Sequence, residues 1–325
     1  MRLIAVDMDG TLLGPGGRVS ERNIAAMKAA ERAGVEVVVA TGRRHCYAMR
    51  VLRELGLREE DALISSNGTV TRTIGARLVE RTLLPVETAR WLCGHMDEFR
   101  DALVMTFDRV RPDGEDERGS LVVEQMEGLH ASIGRWMEAN EPYISRVAPM
   151  ERALEGEAPI QMMLCGTIER MRRAEARLLE HPGVSAVGVT PLRRSDVQRM
   201  EREGRSSGGI SPQERAAGAE AALHRTEYPE RDLSIVDILP AGCSKGFALL
   251  RLAQARGVKA EEILAIGDNW NDVSMLEVAG RSVLMGNAPE DLKALAEEQG
   301  WVVGLRHDED GVAEAIESVL AGMAV

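Results

Sequence analysis

The sequence predicts an α/β protein built on a mostly parallel sheet that helices cover on both faces. Short apolar runs at 3–6, 35–40 and 62–65 alternate with helical patterns in the first third of the chain. Runs at 263–266 and 282–285 repeat this alternation near the end. Near-continuous apolar strands separated by amphipathic helices are typical of parallel sheets buried on both faces. The two ends of the chain are therefore predicted to form one Rossmann-like domain.

Local signals define the helices of this domain. Ser20 is a suitable N-cap for a helical pattern that ends near Gly34, where glycine can take the left-handed conformation of a helix end. Further helical patterns occupy 45–55, 245–256, about 272–279, the residues after Pro289, and 311–320.

The middle of the chain mixes short strands and helices. Strands are predicted at 102–107, 121–124, 160–164, 184–189 and 233–239, with helices beginning at Pro85 and spanning 167–180. A single domain of 325 residues would be near the upper size limit. We therefore predict a split core domain, 1–83 with 240–325, and an inserted α+β domain at 84–239.

One stretch inside the inserted domain, 193–232, has an unusual composition. It carries eight Arg and eight acidic residues around a central Ser-Ser-Gly-Gly sequence, with few large apolar side chains. This composition predicts a solvated or lid-like insertion. The strands on its two sides, 184–189 and 233–239, could then pair directly through a short hairpin loop, so the stretch is expected to be dispensable for folding.

Composition excludes several classes of function. The formal net charge is −12, whereas nucleic-acid and anionic-membrane binding depend on clustered Lys and Arg. No run of about 18 apolar residues could span a bilayer, and the first residues do not form a signal peptide. The four cysteines are scattered without a zinc or disulfide pattern. We expect a cytoplasmic protein; the sequence does not indicate its oligomeric state.

The first chemical signal follows the first predicted strand. Asp7 and Asp9 come where the apolar run ends, and Gly10 permits a sharp turn. Ligands in open parallel sheets bind beyond the carboxyl ends of the strands, so two carboxylates here indicate a reactive site. A solvated turn remains the alternative, because Asp and Gly are common in turns.

Two further signals are weaker when taken singly. Thr41 and Gly42 follow a buried strand, where a hydroxyl and backbone N–H groups can bind a phosphate oxygen. Lys245 opens a helix, a position that the helix dipole does not favour for a cation. An ordinary turn and a surface lysine are the respective alternatives.

The last signal is a group of oxygen donors after the strand at 263–266. Asp268 and Asp272 stand four residues apart with Asn271 between them. Carboxylate and amide oxygens are ligands that suit Mg²⁺. Asp and Asn also cap helices, but capping requires only one such residue.

In this order, the four signals resemble the motifs of the haloacid dehalogenase superfamily of phosphatases. The stretch from Asp268 to Leu276, with 285–288, is similar to its Cof-type branch. Only 34 residues separate Asp7 from Thr41, whereas 204 separate Thr41 from Lys245. The second interval alone has room for a cap domain, which is the family's C2 arrangement. The resemblance covers about half the chain.

The resemblance implies a mechanism and a role for each residue. Asp7 would attack phosphorus to form an aspartyl phosphate, and Asp9 would act as general acid and then general base. Mg²⁺ would be held by Asp7, Asp268 and the backbone carbonyl of Asp9, with Asp272 acting through Lys245 or a bound water. Lys245, Thr41, Gly42, Gly10 and Asn271 would hold the transferring phosphoryl group of a small phosphorylated metabolite.

Two other readings share parts of this pattern. A phosphomutase has the same core and passes the phosphoryl group to a second hydroxyl. A non-enzymatic phosphoacceptor of the receiver type also uses an Asp cluster and a Lys. Receivers are shorter and lack both the Asp-x-Asp pair and a cap, so a phosphatase is the favoured interpretation.

Overall fold

The computed structural model describes residues 1–111, 113–125, 134–186, 220–228 and 231–322. Within these residues the chain forms two compact units, one made of 1–80 with 244–322 and the other lying between 81 and 243. Each unit has its own sheet and its own apolar core. In this part of the chain, no helix is long and apolar enough to cross a membrane.

Strands and helices are numbered here along the chain. The strands are β1 (Leu3–Val6), β2 (Glu36–Ala40), β3 (Ala62–Ser65), β4 (Val70–Thr73), β5 (Leu78–Arg81), β6 (Leu103–Thr106), β7 (Leu121–Val123), β8 (Ile144–Arg146), β9 (Gln161–Gly166), β10 (Val184–Ala186), β11 (Ala221–Tyr228), β12 (Leu233–Pro240), β13 (Ile263–Gly267), β14 (Arg281–Leu284) and β15 (Val302–Val303). The helices are α1 (Glu21–Arg32), α2 (His45–Leu52), α3 (Val86–His95), α4 (Gly134–Asn140), α5 (Ile168–Leu179), α6 (Lys245–Ala255), α7 (Val273–Val278), α8 (Glu290–Gln299) and α9 (Gly311–Ala321).

The sheet of the first unit confirms the predicted α/β fold. Among the described residues it has eight strands in the order β15-β14-β13-β1-β2-β3-β4-β5. The pairs from β15 through to β3 are parallel, and β4 runs antiparallel to β3. Val6 of β1 pairs with Ile266 of β13 and Val39 of β2, so the carboxyl ends of these three strands lie at one edge.

Burial on both faces explains why the strands read as continuous apolar runs. Alternate side chains of a strand point to opposite faces. In β1, Ile4 and Val6 belong to one apolar cluster, and Leu3 and Ala5 belong to another. Side chains of α1, α2 and α9 pack in the first cluster, and those of α6, α7 and α8 in the second. A polar residue on either face of β1 would therefore be buried.

The first helix begins as its sequence predicts. The side chain of Ser20 accepts a hydrogen bond from the backbone N–H of Asn23 at 3.1 Å. This bond satisfies one of the N–H groups that have no partner within a helix at its first turn. After α1, Gly34 has a φ of +79°, as expected for a glycine that ends a helix.

The second unit contains a mixed sheet, which agrees with the α+β pattern predicted for the middle of the chain. Among the described residues its order is β10-β11-β12-β9-β6-β7-β8, and most neighbours are antiparallel. Side chains of α3 and α5 form one apolar cluster with this sheet. Met171 and Leu178 of α5 are fully buried in it.

The structure corrects part of the prediction for 193–232. Residues 221–228 form β11, which pairs antiparallel with β12 over its whole length and parallel with β10. The expected hairpin between 184–189 and 233–239 is therefore wrong, since β11 lies between those strands. The predicted lid character of 193–219 falls outside the described residues.

Ion pairs explain why the sequence did not predict strand β11. Nη1 of Arg225 in this strand lies 2.5 Å from Oε2 of Glu175 in α5. Oε1 of Glu227 lies 3.3 Å from Nε of Arg172 in the same helix. Charged side chains that have partners can occupy a strand that packs against a helix. Such a strand does not show the apolar alternation on which a prediction depends.

Candidate active site

The predicted motifs come together at the carboxyl edge of the first sheet. Asp7, Thr41 and Asp268 directly follow β1, β2 and β13. Because these strands are parallel neighbours, the three side chains emerge at the same edge. All three residues are buried. The register of the sheet therefore positions side chains that are up to 261 residues apart in sequence.

Lys245 lies at the centre of this group. It is the first residue of α6, and its side chain has no exposed surface. Its Nζ is 2.5 Å from Oδ1 of Asp7 and 2.6 Å from Oδ1 of Asp272. The lysine that the helix dipole does not favour at this position is thus held by two carboxylates.

Both carboxylate oxygens of Asp272 accept hydrogen bonds from the surrounding protein. Besides accepting from Lys245, it accepts hydrogen bonds at Oδ2 from the backbone N–H groups of Asp268 at 2.9 Å and Asn269 at 3.0 Å. These bonds hold the loop after β13 against the start of α7. The predicted role of Asp272, to orient Lys245 or a metal-bound water, stays a prediction.

Asp268 is oriented by residues from two other loops. Thr11 donates its hydroxyl to Oδ1 of Asp268 at 2.8 Å, and the amide of Asn287 lies 3.4 Å from Oδ2. Asn287 also donates to the backbone carbonyl of Gly10 at 2.8 Å. A side chain at Gly10 would place its Cβ 2.3 Å from Asp268, so only glycine fits there.

Burial and mutual repulsion disturb the ionisation of the carboxylates. Burial, followed by the charge of Asp272, raises the pKa of Asp7 from 3.8 to about 7, despite the opposing charge of Lys245. Burial and the charges of Asp7 and Asp272 raise the pKa of Asp268 well above its ordinary value. With all three carboxyls ionised, the negative charge would exceed what one lysine can offset, so burial and repulsion favour the protonated forms of Asp7 and Asp268.

Lys245 remains charged in this environment. Burial alone would lower its pKa, but the charges of Asp272 and Asp7 and their hydrogen bonds together raise it above the ordinary value. A permanent ammonium group at this position can interact with the oxygens of a bound anion as well as with the carboxylates.

The cluster has the donor set of a hard metal ion. One carboxylate oxygen from each of Asp7, Asp268 and Asp272 lies within 4.8 Å of the others, and all three residues are buried. Three carboxylates and one ammonium leave a formal charge of −2, which a divalent cation would neutralise. Asp272 accepts three hydrogen bonds, two of them from backbone N–H groups, so we expect Asp7 and Asp268 rather than Asp272 to be the direct ligands.

Asp9 forms its ion pair with a residue outside the buried cluster. Its carboxylate makes a two-point ion pair with Arg43, with distances of 2.8 Å from Nε to Oδ2 and 2.6 Å from Nη2 to Oδ1. The guanidinium of Arg43 also stacks over the ring of Tyr47, at 4.9 Å from its centroid. The Asp9 side chain is 40% exposed, so it lies where a substrate could reach it.

Thr41, Gly42 and Asn271 all lie beside the turn at Asn67, which follows β3. The Thr41 hydroxyl is buried and accepts a hydrogen bond from the backbone N–H of Arg43 at 3.1 Å. Asn271 donates from Nδ2 to Oδ1 of Asn67 at 3.1 Å. A Cβ at Gly42 would lie 3.2 Å from the same oxygen.

Sequence reasoning gave no role to four residues of this site, namely Thr11, Arg43, Asn67 and Asn287. Thr11, Arg43 and Asn287 belong to or adjoin stretches that the motifs contain, so a signal was present for them, whereas Asn67 lies outside the motifs. What the sequence could not show is which side chain each one contacts. The turn at Asn67 follows β3, the strand that pairs with β2. Its place at the same sheet edge was the signal that could have indicated a role for Asn67.

The family model of the haloacid dehalogenase-like hydrolases matches residues 4–186 and 219–316 of the chain. The match thus covers both units and omits 187–218. The excluded segment is shorter than the insertion predicted at 193–232, since β11 falls within the matched part.

Two curated relatives are similar over nearly their whole length. The chain is 27% identical to the 5-amino-6-(5-phospho-D-ribitylamino)uracil phosphatase YwtE of Bacillus subtilis, covering 99% of each protein. It is 28% identical to the pyridoxal phosphate phosphatase YbhA of Escherichia coli, covering 98% of each. A crystal structure of a haloacid dehalogenase-like hydrolase from Bacteroides thetaiotaomicron shares the fold, with a TM-score of 0.68, 23% identity, and coverage of 98% of this chain and 99% of that one.

Proposed function

The chain belongs to the haloacid dehalogenase-like hydrolase family, and from this premise we propose that it is a phosphatase that hydrolyses a small phosphorylated metabolite through an aspartyl phosphate on Asp7. The observation that carries the proposal is the buried contact of Lys245 with Asp7 and Asp272, beside Asp268. This arrangement supplies a nucleophile, a cation for the phosphoryl oxygens and a possible metal site at one sheet edge.

The substrate class follows from the relatives. YwtE and YbhA are named for phosphate esters of a ribitylaminouracil and of pyridoxal, both small metabolites. The formal charge of −12 fits such a substrate better than a polyanion that needs a wide basic surface. We further propose that the second unit is a C2-type cap, with the boundaries 84–239 that the sequence predicts. Its side chains would set substrate choice.

In the first half of the reaction, an oxygen of the Asp7 carboxylate forms a bond to phosphorus while the bond from phosphorus to the ester oxygen breaks. Asp9 gives a proton to the departing oxygen. Because Arg43 holds both oxygens of Asp9 in the structure, this ion pair must open before Asp9 can act. A substrate phosphate is a suitable alternative partner for the guanidinium.

In the second half, Asp9 takes a proton from a water molecule whose oxygen bonds to phosphorus. The bond between phosphorus and Asp7 then breaks, which releases phosphate and restores the carboxylate. Lys245, Thr41, Asn271 and the backbone at Gly10 and Gly42 would hold the phosphoryl oxygens. Mg²⁺, bound by Asp7, Asp268 and the backbone carbonyl of Asp9, would supply positive charge that offsets the carboxylates and the incoming phosphate.

The test is a phosphate-release screen over a panel of phosphorylated metabolites in the presence of Mg²⁺. Wild-type protein is expected to release phosphate from one or a few of them, and Asp7→Asn is expected to release none, because an amide is not a competent nucleophile. The Asp7→Asn protein should remain folded, since Lys245 keeps its contact with Asp272.

Two outcomes would contradict the proposal. Activity above about 1% in Asp7→Asn, a barrier change below about 2.7 kcal/mol, would favour direct attack by water. Full activity of the wild-type protein in EDTA would exclude the proposed metal site. Phosphate transfer to a second sugar hydroxyl instead of water would identify the phosphomutase alternative.

A further inference from the structure

The turn that ends β3 has a backbone conformation that its sequence does not favour. Three consecutive residues have positive φ, with 49° at Ser66, 52° at Asn67 and 96° at Gly68. Only glycine adopts this region without strain, and Asn tolerates it better than other residues. Two strained residues in a row persist only where the surrounding structure holds them.

The contacts of this turn provide that support, and they lead to two of the predicted motifs. The backbone N–H of Asn67 donates to the carbonyl of Thr41 at 3.0 Å, and that of Ser66 donates to the carbonyl of Arg43 at 2.9 Å. A Cβ at Gly68 would lie 2.2 Å from the carbonyl oxygen of Ser244, the residue before Lys245. The turn is thus packed between the loop after β2 and the start of α6.

The side chain of Asn67 extends the same turn to the loop after β13. Its Oδ1 accepts a hydrogen bond from Nδ2 of Asn271, and the residue is fully buried. Since Nδ2 of Asn271 is directed to Asn67, the orientation of the Asn271 amide is set by this bond. The left-handed backbone of Asn67 is what directs its side chain to the gap beside Gly42.

We propose that Asn67 is a positioning residue that orients the Asn271 amide for binding of the transferring phosphoryl group. This inference rests on the proposed function, because it assumes that Asn271 binds phosphate. Asn67 itself does not need to contact the substrate. It links three of the four motifs through one turn, so a change in its side chain should alter phosphate affinity without changing the nucleophile.

The experiment compares Asn67→Gly with Asn23→Ala. Gly keeps the left-handed backbone at position 67 and removes only the amide. Asn23 is a matched control, because it is a buried asparagine of the same unit whose side chain accepts a hydrogen bond from the backbone of Ala313. The probes are p-nitrophenyl phosphate as substrate and inorganic phosphate as competitive inhibitor, with the melting temperature recorded for every variant.

Asn67→Gly is expected to raise both the KM and the inhibition constant of phosphate about tenfold, as loss of one hydrogen bond predicts, with kcat changed less than about twofold. Its melting temperature should stay within about 3 °C of the wild type. Asn23→Ala should lower the melting temperature and leave KM and the inhibition constant unchanged. A change confined to the melting temperature of Asn67→Gly would overturn the proposal.

A double-mutant cycle with Asn271→Ala tests whether Asn67 acts through Asn271. If it does, Asn67→Gly should change KM less than about twofold in the Asn271→Ala background. Independent tenfold effects that multiply would show that Asn67 acts by another route and would overturn the inference. Failure of the wild-type protein to hydrolyse any phosphate ester would instead refute the proposed function, and this inference with it.

Discussion

Gly10 shows how a single missing Cβ shapes the candidate site. Its φ of +82° turns the chain away from β1, and the space that a side chain would need is filled by the Asp268 carboxylate. Its carbonyl is bound by Asn287, which also approaches Asp268. The glycine therefore permits the first and last motifs to approach each other closely.

Substitution of Gly10 can be compared with that of Gly34, which has a similar φ of +79° but, among the described residues, no atom within 4 Å of the position that a Cβ would take. Gly34→Ala is expected to lower the free energy of unfolding by only the cost of the left-handed backbone, about 1–2 kcal/mol. Its activity should be unchanged. Gly10→Ala should in addition displace Asp268 and lower kcat/KM by about 100-fold or more. Melting temperatures and phosphate-release rates of the two variants provide the measurement; equal activity would show that Asp268 can move without consequence.

At the scale of elements, β11 determines what can be removed from the middle of the chain. It lies between β10 and β12, with Ala221, Ala222 and Leu223 buried. Because β10 and β11 are parallel, a tight hairpin cannot join them, and their connection requires about a dozen residues or more. A short turn in place of 193–232 would remove β11 and leave β10 without its partner.

Two replacements separate the strand from the segment that precedes it. Replacing 193–232 with a short Gly-containing turn is expected to lower the melting temperature by about 8 °C or more, because a central strand is lost. Replacing only 193–218 with a flexible linker of about 12 residues keeps β11 and a crossover of sufficient length, so the melting temperature should change little.

Thermal unfolding of both variants is the measurement. The second replacement matches the part of the chain that the family model omits, apart from 187–192. A large loss of stability in that variant would show that 193–218 packs against the folded protein. An unchanged melting temperature after removal of 193–232 would show that β11 contributes nothing to the sheet.

For the molecule as a whole, the carboxyls of the proposed metal site link ionisation to stability. Burial raises the pKa of Asp7 to about 7 in the metal-free protein, whereas an unfolded chain would keep it near 3.8. Ionising Asp7 in the folded state is therefore unfavourable, and its cost is absent below about pH 4 and complete above about pH 7. Asp268 contributes in the same direction.

Two trends with pH are expected. The contribution of these two carboxyls lowers the stability of the metal-free protein as pH rises from about 4 to 7. The proposed site binds Mg²⁺ through ionised carboxylates, so saturating Mg²⁺ should raise the melting temperature more at pH 8 than at pH 5.

Thermal unfolding in EDTA and in Mg²⁺ at the two pH values measures both trends. Asp268→Asn, which removes one proposed ligand, is the control and should respond weakly to Mg²⁺ at either pH. A Mg²⁺ effect at pH 5 equal to that at pH 8 would contradict a site made of carboxylates with raised pKa.

Local sequence patterns were sufficient to predict the parallel-sheet fold and the positions of the residues proposed to carry its chemistry. Apolar runs such as 3–6 and 263–266 read as buried strands because both of their faces are covered, a property that local composition records. Polar residues at the ends of such strands must meet at one sheet edge, whatever their separation in the chain. Asp7 and Asp268 could therefore be singled out by their places after such runs, whereas Lys245, at the start of a helix, was identified through the resemblance to the family motifs.

The contacts among those residues, in contrast, could be established from the folded chain and not from local patterns. The pairing of Asp9 with Arg43, the left-handed turn at Asn67 and the contact of Thr11 with Asp268 depend on side-chain directions that residue type and spacing do not specify. Strand β11 was likewise decided by partners distant in sequence, since Glu175 and Arg172 of α5 pair with its charged residues. Local patterns record burial, whereas ion pairs and backbone strain arise only when distant segments are brought together.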